Sequence, residues 1–426
     1  MKASAALAPA LCEAASIVAA VAAGKSLTEQ LERMADGGTL RSPRGALTDL
    51  THGALRRYGR VQAIVDALSQ RGRPDRRVEA LLWCSLYAIE SRRYADYTVV
   101  DQAVRACGLL ECWTAKGYVN AVLRGYLRER ESIEARIQRD PEARYQHPRW
   151  WIEIVQAAYP ADYEGVLAAG NAHPPMCLRV NRRRAAIDDY VVRLEAEGMR
   201  ARRVGAEALL LEQPLGVERL PGFAAGEVSV QDAGAQRAVH CLDLRSGQRV
   251  LDACAAPGGK TAHVLEAAEV EVTALDIDAA RCARIERTLE RLGLRAQVRV
   301  ADCTEPAGWW SGAPFDRILA DVPCSASGIA RRHPDMKWLR RAQDLGRFAA
   351  RQSAILRALW QALAPGGKLL YATCSVFAQE NAELVEGFLA GLSGARRIAL
   401  ADGSPAQWLP EAEHDGFFYA LIEKQR

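Results

Sequence analysis

The feature that most constrains the fold is an alternation of apolar strands with helices from residue 234 to the end of the chain. The predicted strands are 249–253, 270–275, 297–300, 315–320 and 368–372. Apolar runs of this length, separated by segments of helical periodicity, are typical of a doubly wound, mostly parallel α/β sheet. A final apolar run at 416–422 predicts one more strand, at the edge of this sheet.

The remaining sequence predicts a multidomain protein, because 426 residues are too many for one ordinary core. Residues 1–140 carry apolar side chains at three- and four-residue steps and predict an all-α domain. Residues 141–233 combine proline-rich breaks with short strands at 176–181 and 208–212, and they predict a linker with a small α/β module. Residues 234–426 form the sheet domain.

Composition indicates the cellular compartment and excludes some classes of protein. The eleven cysteines occur singly, with no CxxC pair and no cysteine–histidine cluster at metal-binding spacing, so we predict neither disulfides nor a metal site. Glu13 and Pro9 interrupt the Ala-rich start of the chain, which predicts a first helix rather than a secretory signal. No apolar segment reaches membrane-spanning length. We therefore expect a cytoplasmic protein, a monomer, with no membrane partner.

A loop after the first strand of the sheet and two later acidic strand ends predict a cofactor site. The loop, residues 252–260, reads DACAAPGGK, and Gly258 and Gly259 let backbone amides approach a ligand closely. Asp276 ends the second strand and is placed to accept both ribose hydroxyls of an adenosine, while Asp302 ends the third strand near the adenine edge. The loop is not GxGxxG, and Lys260 suits either a phosphate or a carboxylate, so a dinucleotide and S-adenosylmethionine both remain open.

Two cysteines lie at the same rim of the sheet. Cys324 follows the fourth strand in Asp-Val-Pro-Cys, and Cys374 follows the fifth in Ala-Thr-Cys-Ser. Carbon 5 of cytosine accepts a methyl group only after a thiolate adds to carbon 6 and makes carbon 5 enamine-like. Asp321, three residues before Cys324, is placed to contact ring nitrogen 3. The residues alone do not tell which of the two thiols attacks.

These motifs resemble the RNA cytosine-5 methyltransferases of the Nol/Nop/Sun (RsmB/NOP) family. The likeness rests on residues 252–260, on DVPCS at 321–325, on ATCS at 372–375, on RRHPDMKW at 331–338 and on the closing DGFF that begins at Asp415. The helical first domain, with VNAVLR at 119–124, is similar to NusB-like RNA-binding domains. The resemblance implies a NusB-like domain, a small RNA-binding module and a Rossmann-like class I S-adenosylmethionine-dependent methyltransferase domain.

The resemblance also implies roles for individual residues. Cys374 would be the nucleophile and Cys324 would assist release of the methylated RNA. The residues implied to bind S-adenosylmethionine are Cys254, Ala255, Ala256, Pro257, Gly258, Gly259, Lys260, Asp276, Asp302 and Asp321. The bacterial branch with the fused helical domain implies cytosine 967 of 16S rRNA as the target, in naked rRNA or in an unassembled or partly assembled small subunit.

Basic and aromatic residues predict RNA contacts. Arg182 to Arg184 would bind phosphates, and His333, Lys337 and Trp338 would guide the strand or stack on a flipped base. Packing of Trp338 into a core is the competing interpretation.

Other functions stay open at this point. Another rRNA or tRNA cytosine-5 methyltransferase fits the same residues. A DNA cytosine-5 methyltransferase would attack with the Pro-Cys thiol and needs a large target-recognition region, for which too few residues follow Cys374. A nicotinamide oxidoreductase fits the sheet but gives the two thiols no role, and a non-catalytic NusB-like adaptor explains the first domain only.

Overall fold

The computed structural model describes residues 7–36, 42–69 and 72–426, which fall into two compact units. The first unit comprises residues 1–172 and 330–342, and the second comprises residues 173–329 and 343–426. The α-helices are α1 Leu7–Ala22, α2 Leu27–Asp36, α3 Arg44–Arg56, α4 Tyr58–Leu68, α5 Arg76–Glu90, α6 Asp96–Leu109, α7 Lys116–Arg128, α8 Arg130–Ile137, α9 Pro141–Tyr145, α10 Arg149–Ala158, α11 Tyr163–Asn171, α12 Ile187–Ala196, α13 Ala233–Cys241, α14 Gly259–Ala267, α15 Ala279–Leu292, α16 Met336–Leu339, α17 Asp344–Ala362 and α18 Ala382–Ala390. The strands are β1 Cys177–Val180, β2 Ala201–Arg203, β3 Ala208–Leu211, β4 Val228–Val230, β5 Arg249–Asp252, β6 Glu271–Asp276, β7 Gln297–Val300, β8 Phe315–Asp321, β9 Leu363–Thr373, β10 Ala395–Ile398, β11 Gln407–Trp408 and β12 Phe417–Lys424.

The first unit is all-helical over its described residues, as the periodicity predicts. Its central helix α1 presents small and branched apolar residues such as Leu11 and Val18, both fully buried, and packs against α3, α5 and α6. Local signals set the helix ends: the Asp75 side chain accepts a hydrogen bond from the Arg77 N–H and caps α5. Within the described residues, the Ala-rich stretch from Leu7 to Ala22 is a helix, as expected.

The segment 330–342 belongs to the first unit and contributes a buried lysine to it. Lys337 is 0 % exposed. Its Nζ donates to the carbonyl oxygens of Arg56 and Gln146, at 3.0 and 2.9 Å, and to Oδ1 of Asn171 at 2.7 Å. Lys337 thus joins α3, the turn after α9 and the end of α11, and its ammonium is not presented to a nucleic acid.

Trp338 packs in the same unit. Its Nε1 donates to the carbonyl oxygen of Leu55 at 2.9 Å, and its ring lies 4.7 Å from that of Tyr58. Of the two interpretations of Trp338 that the sequence left open, packing describes its position in the first unit. His333 is partly exposed.

The small module lies in the second unit. Its strands form an antiparallel sheet in the order β2-β3-β1-β4, with α12 packed on it through Tyr190 and Leu194. The predicted strands at 176–181 and 208–212 are β1 and β3. Arg179 of β1, which is 1 % exposed, forms a bidentate ion pair with Glu266 of α14 at 2.8 Å for both bonds. This buried pair ties the module to the larger sheet domain.

The larger sheet has the order β10-β12-β9-β8-β5-β6-β7, with β11 paired to β12. Strands β5 to β9 pair with one another in parallel, whereas β12 runs antiparallel to β9 and to β10. The prediction that 416–422 forms an edge strand is wrong, because β12 lies between two strands and β10 is at the edge. The residues from Phe417 to Ile422 are all buried, and a continuous apolar run is typical of an interior strand.

Among the described residues, the structure contains no helix of the length and apolarity needed to cross a membrane.

Candidate active site

A cavity of about 220 Å³ opens at the carboxyl ends of the parallel strands. Strand β8 pairs in parallel with both β5 and β9, so the residues that follow these strands meet at one edge of the sheet. The predicted site residues on the cavity wall are Cys254, Ala256, Asp276, Asp302, Asp321, Cys324 and Cys374. The structure therefore brings both cysteines and all three predicted aspartates together.

The other predicted loop residues shape the loop and do not line this cavity. They are Ala255, Pro257, Gly258, Gly259 and Lys260. Gly258 has φ +97°, and a Cβ at this position would lie 3.1 Å from Cα of Ile285, so only glycine fits here without displacing α15. The Ala255 N–H donates to the carbonyl oxygen of Leu275, at 2.8 Å, which fixes the loop against β6.

Asp276 is held at the end of β6 by backbone donors. Its Oδ2 accepts from the Ala256 N–H and its Oδ1 from the Asp278 N–H, both at 3.2 Å. Arg281 of α15 lies 3.3 Å from Oδ2. The carboxylate is only 4 % exposed, yet it lines the cavity, so it can accept hydrogen bonds from a ligand there.

Asp302 occupies the equivalent place after β7. Its Oδ1 accepts from the N–H and Oγ1 of Thr304, at 2.9 and 2.7 Å, and Arg351 of α17 lies 3.7 Å from Oδ2. Burial opposes ionisation of Asp302, but the hydrogen bonds from Thr304 and the charge of Arg351 outweigh it and lower its pKa. Asp302 is therefore a carboxylate at neutral pH.

Lys260 and Asp321 form an ion pair beside the thiols. The lysine Nζ lies 2.5 Å from Oδ2 of Asp321, and the two side chains are 15 % and 28 % exposed. Burial disfavours the lysine charge, but Asp321 outweighs it and raises the pKa of Lys260. Asp252, which ends β5, is fully buried, and burial raises its pKa to about 7. The hydrogen bond that its Oδ2 accepts from Oγ1 of Thr261, at 2.7 Å, has the opposite and smaller effect.

The two thiols are in contact. Sγ of Cys324 lies 3.3 Å from Sγ of Cys374. Cys324 is 8 % exposed, whereas Cys374 is more open to the cavity. The hydrogen bond with Cys374, reinforced by burial, raises the pKa of Cys324 well above its ordinary value. Cys324 consequently keeps its proton at neutral pH.

A buried glutamate that the sequence reasoning missed holds both cysteine loops. Glu380 is 0 % exposed. Its Oε2 accepts from Oγ of Ser325 at 2.5 Å and from Oγ of Ser375 at 2.7 Å, and its Oε1 accepts from the Ser325 N–H at 2.8 Å. Each serine directly follows one of the cysteines, so one carboxylate fixes the two loops that carry the thiols.

Sequence reasoning also missed part of the cavity wall. The additional wall residues are Ala253, Ile277, Arg281, Ala301, Cys303, Val322, Pro323, Arg351 and Ile355. Arg281 follows Asp276, the acid that it faces, by only five residues. Arg351 lies on α17, far along the chain from Asp302, and no local pattern marks it. Cys303 follows the predicted Asp302 directly, and its Sγ lies 4.0 Å from that of Cys254, so adjacency to a strand end was the available signal.

Three family models match the chain. The model described as 16S rRNA methyltransferase RsmB/F matches residues 239–423, and the RsmF/B-like ferredoxin-like domain matches residues 147–218. The NusB family model matches residues 8–128. These matches confirm the predicted order of a NusB-like domain, a small module and a Rossmann-like methyltransferase domain.

Individual relatives agree with the family models. The chain is 43% identical over 430 residues to "Ribosomal RNA small subunit methyltransferase B" of Pseudomonas syringae pv. tomato, which covers 96% of each chain. The crystal structure of PH0851 is similar in fold, with a TM-score of 0.80 and 22% identity over 98% of this chain and 99% of that one. A methyltransferase homolog protein from Pyrococcus horikoshii has a TM-score of 0.59 and 26% identity, over 66% of this chain and 97% of its own.

Proposed function

Because the chain belongs to the 16S rRNA methyltransferase RsmB/F family, we propose that it methylates carbon 5 of a cytosine in 16S rRNA with S-adenosylmethionine as donor. The proposed target is cytosine 967, in rRNA that is naked or only partly assembled into the small subunit. The likeness to a relative named as a small-subunit rRNA methyltransferase supports the RNA class, and a cytoplasmic location follows from that substrate.

The observation that carries the proposal is the pair of thiols in one cavity with three aspartates. Cys324 and Cys374 lie 3.3 Å apart on a wall that also holds Asp276, Asp302 and Asp321. An oxidoreductase that binds a nicotinamide leaves these two sulfurs without a role, and an RNA adaptor leaves the whole cavity without one. A thiol beside an adenosine site is what methyl transfer to pyrimidine carbon 5 requires.

The cavity fits S-adenosylmethionine. Asp276, at the end of β6, accepts the ribose hydroxyls, and Asp302, at the end of β7, accepts from the adenine amino group. Lys260 is a cation beside the cavity and suits the carboxylate of the donor's amino-acid part. Bound there, S-adenosylmethionine supplies an electrophilic methyl group next to the thiols.

Cys374 is the proposed nucleophile, since it is the more exposed of the two sulfurs. Its thiolate forms a bond to carbon 6, and the electron pair displaced from the ring double bond makes carbon 5 nucleophilic. Asp321 contacts ring nitrogen 3, and the ammonium of Lys260, 2.5 Å from Oδ2 of Asp321, supplies the proton that this contact needs as negative charge develops there. After carbon 5 has gained the methyl group, a base removes the carbon-5 proton and the sulfur–carbon 6 bond breaks.

Cys324 is the proposed release group. Its raised pKa keeps the S–H proton in place, and its sulfur is 3.3 Å from the leaving sulfur. A hydrogen bond from this S–H stabilises the Cys374 thiolate as it departs. A cytosine reaches these sulfurs only after it has left its stack, so a loop or flexible rRNA segment is the expected substrate.

The test is methyl transfer from labelled donor to 16S rRNA taken from a strain that lacks this protein. Bisulfite sequencing of the product locates the mark, and a mark at any other nucleotide contradicts cytosine 967. Cys374→Ala should abolish both methylation and the RNA–protein adduct that survives denaturation. Cys241→Ala, a buried cysteine outside the cavity, is the matched control and should remain active.

The second thiol has a different signature. Cys324→Ala should slow breakdown of the adduct, so that a covalent RNA–protein species accumulates on a denaturing gel. Absence of that band, with the Cys374 variant inactive, would leave Cys374 as nucleophile and remove the release role of Cys324.

A further inference from the structure

A second cluster of ionisable groups lies in the second unit, outside the cavity of the thiols. Glu207 directly precedes β3 of the small module, His240 lies on α13 and His263 lies on α14. The Nε2 atoms of His240 and His263 are 2.8 and 2.7 Å from the same oxygen, Oε1 of Glu207. One ligating atom of each residue lies within 4.8 Å of the others, so three elements converge on one point.

The cluster forms part of the wall of its own cavity, of about 330 Å³. This cavity shares no wall residue with the cavity of the thiols, and Arg182, Asp243 and Glu266 complete its polar lining. Glu207 and His263 are 2 % and 4 % exposed, whereas the His240 side chain is 39 % exposed. A small ligand can therefore reach the cluster from the His240 side.

Two polar atoms of the cluster lack hydrogen-bond partners within the described structure. They are Oε2 of Glu207 and Nδ1 of His263, and both are buried. An unsatisfied buried polar atom costs about 1–3 kcal/mol, so native proteins keep few of them. Oε2 of Glu207 belongs to the carboxylate on which both histidines converge, so this carboxylate keeps an acceptor oxygen for a ligand at the cluster.

We propose that Glu207, His240 and His263 bind a divalent transition-metal ion of the zinc type. Two imidazoles and one carboxylate are a donor set that Zn²⁺ takes with a fourth position left for water, and the cavity leaves room for that water. Binding breaks the two hydrogen bonds from Nε2 to Glu207: each imidazole binds the ion through Nε2 with its proton on Nδ1, and any second proton on an imidazole goes to solvent. Since metal–nitrogen and metal–oxygen bonds are about 2.0–2.2 Å long, the ligand atoms must separate by roughly half an ångström from their present spacing. His240, at the open side, is free to make that movement.

The ion would join the small module to the sheet domain. Glu207 comes from the module, and the histidines come from two helices of the sheet domain, so the three bonds cross the same junction as the ion pair between Arg179 and Glu266. A metal that binds only the folded protein raises its unfolding temperature. The inference does not depend on the methyltransferase chemistry, because the cluster is distinct from the thiols.

The test is Co²⁺ and Zn²⁺ titration of the full chain after treatment with a chelator. Co²⁺ should bind at about one equivalent and give the visible absorption of a four-coordinate ion without a thiolate-to-metal charge-transfer band, because this donor set contains no sulfur. Zn²⁺ should displace Co²⁺ and raise the unfolding temperature. No uptake, or a spectrum with the thiolate band that disappears in the Cys324→Ser, Cys374→Ser double variant, overturns the proposal.

Variants locate the ion. His263→Gln should weaken binding by roughly 100-fold or more, since even indirect partners of a metal contribute about 10–100-fold. His240→Gln should weaken binding by a similar factor. Because His240 is the more exposed of the two histidines, this variant tests the site even if His263→Gln fails to fold. His173→Gln changes an exposed histidine outside the cluster and should bind Co²⁺ as the wild type does. Equal binding by all three variants places the ion elsewhere and contradicts the assignment.

Discussion

Lys260 in the second unit and Lys337 in the first are both largely buried, yet their surroundings have opposite effects on their charge. Lys260 faces Asp321 at 2.5 Å, and this counter-charge raises its pKa despite burial. Lys337 faces two carbonyl oxygens and one amide oxygen, and burial together with the charge of Arg56 lowers its pKa well below its ordinary value.

Both lysines lie in motifs that suggest function, but only one has the electrostatics of a site. A charge held next to a cavity by an opposite charge can act on a ligand, whereas an amine enclosed by neutral oxygens holds chain segments together. The two lysines therefore differ in the groups that they contact, a carboxylate for Lys260 and neutral oxygens for Lys337, and burial does not distinguish them. Substitution of each lysine tests this directly.

The largest effect is expected for Lys260→Met. The variant removes the cation beside the cavity and leaves Asp321 without its partner, so kcat/KM for rRNA methylation should fall by roughly 10²–10³-fold, about 3–4 kcal/mol. The control is Lys368→Met, which breaks a Lys–Asp pair of similar length and exposure, 2.6 Å to Asp243, away from the cavity of the thiols. If both variants lose activity equally, the counter-charge at Lys260 has no special role.

Lys337→Met should instead lower stability. The methionine keeps the apolar stem but leaves the oxygens of Arg56, Gln146 and Asn171 without a donor, at a cost of about 2–3 kcal/mol in the free energy of unfolding. Urea denaturation measures this, with the exposed Lys25→Met as control. Activity per folded molecule should be retained, and a loss of methylation without a loss of stability would show that Lys337 acts on the substrate.

The part of the site that the sequence predicts well consists of residues that follow parallel strands. Asp276, Asp302, Cys324 and Cys374 each follow a parallel strand, and the carboxyl ends of such strands share an edge. Local hydrophobic patterns locate the strands, so these residues could be assigned to one site before any coordinates. Gly258 was predicted because glycine lets backbone amides approach a ligand closely; the structure gives it a φ of +97°, which the sequence did not predict.

What the sequence could not predict depends on pairing between distant elements. Glu380 holds the two cysteine loops from 55 residues after Ser325, and nothing in its local pattern shows the two hydroxyls that reach it. The burial of Lys337 and the interior position of β12 have the same cause. The burial of Lys337 and the position of β12 both depend on which distant element packs against them, and the spacing of residues along the chain does not reveal that element.

Glu380→Gln tests the pairing that the sequence did not reveal. An amide has one acceptor oxygen. Placed at Oε2 it still accepts from the hydroxyls of Ser325 and Ser375, but its NH2 group then faces the Ser325 N–H and Nε2 of Gln352, which both donate to Oε1 in the wild type. The cysteine loops should loosen, with a roughly tenfold fall in kcat, about 1.4 kcal/mol, and little change in KM for the methyl donor. Glu383→Gln, on an exposed neighbouring position, is the control. A rise in KM at constant kcat would mean that Glu380 supports cofactor binding instead.

A pH-dependent effect is expected at Asp252, a fully buried acid. Its pKa is about 7 in the folded protein against an ordinary value of 3.8, because burial disfavours the charged form. Between pH 3.8 and about 7, Asp252 therefore holds a proton in the folded state that it releases in the unfolded state. Its stabilising contribution is complete below pH 3.8 and is lost as the pH rises towards 7, by about 1 kcal/mol per pH unit. Asp252→Asn keeps an acceptor for the Thr261 hydroxyl and should remove this pH dependence from the free energy of unfolding, measured by urea denaturation between pH 5 and 7. Asp188 is 87 % exposed, and Asp188→Asn should leave the pH dependence unchanged. An unchanged slope in the Asp252 variant would show that a nearby cation keeps this acid ionised, as Asp321 keeps Lys260 charged.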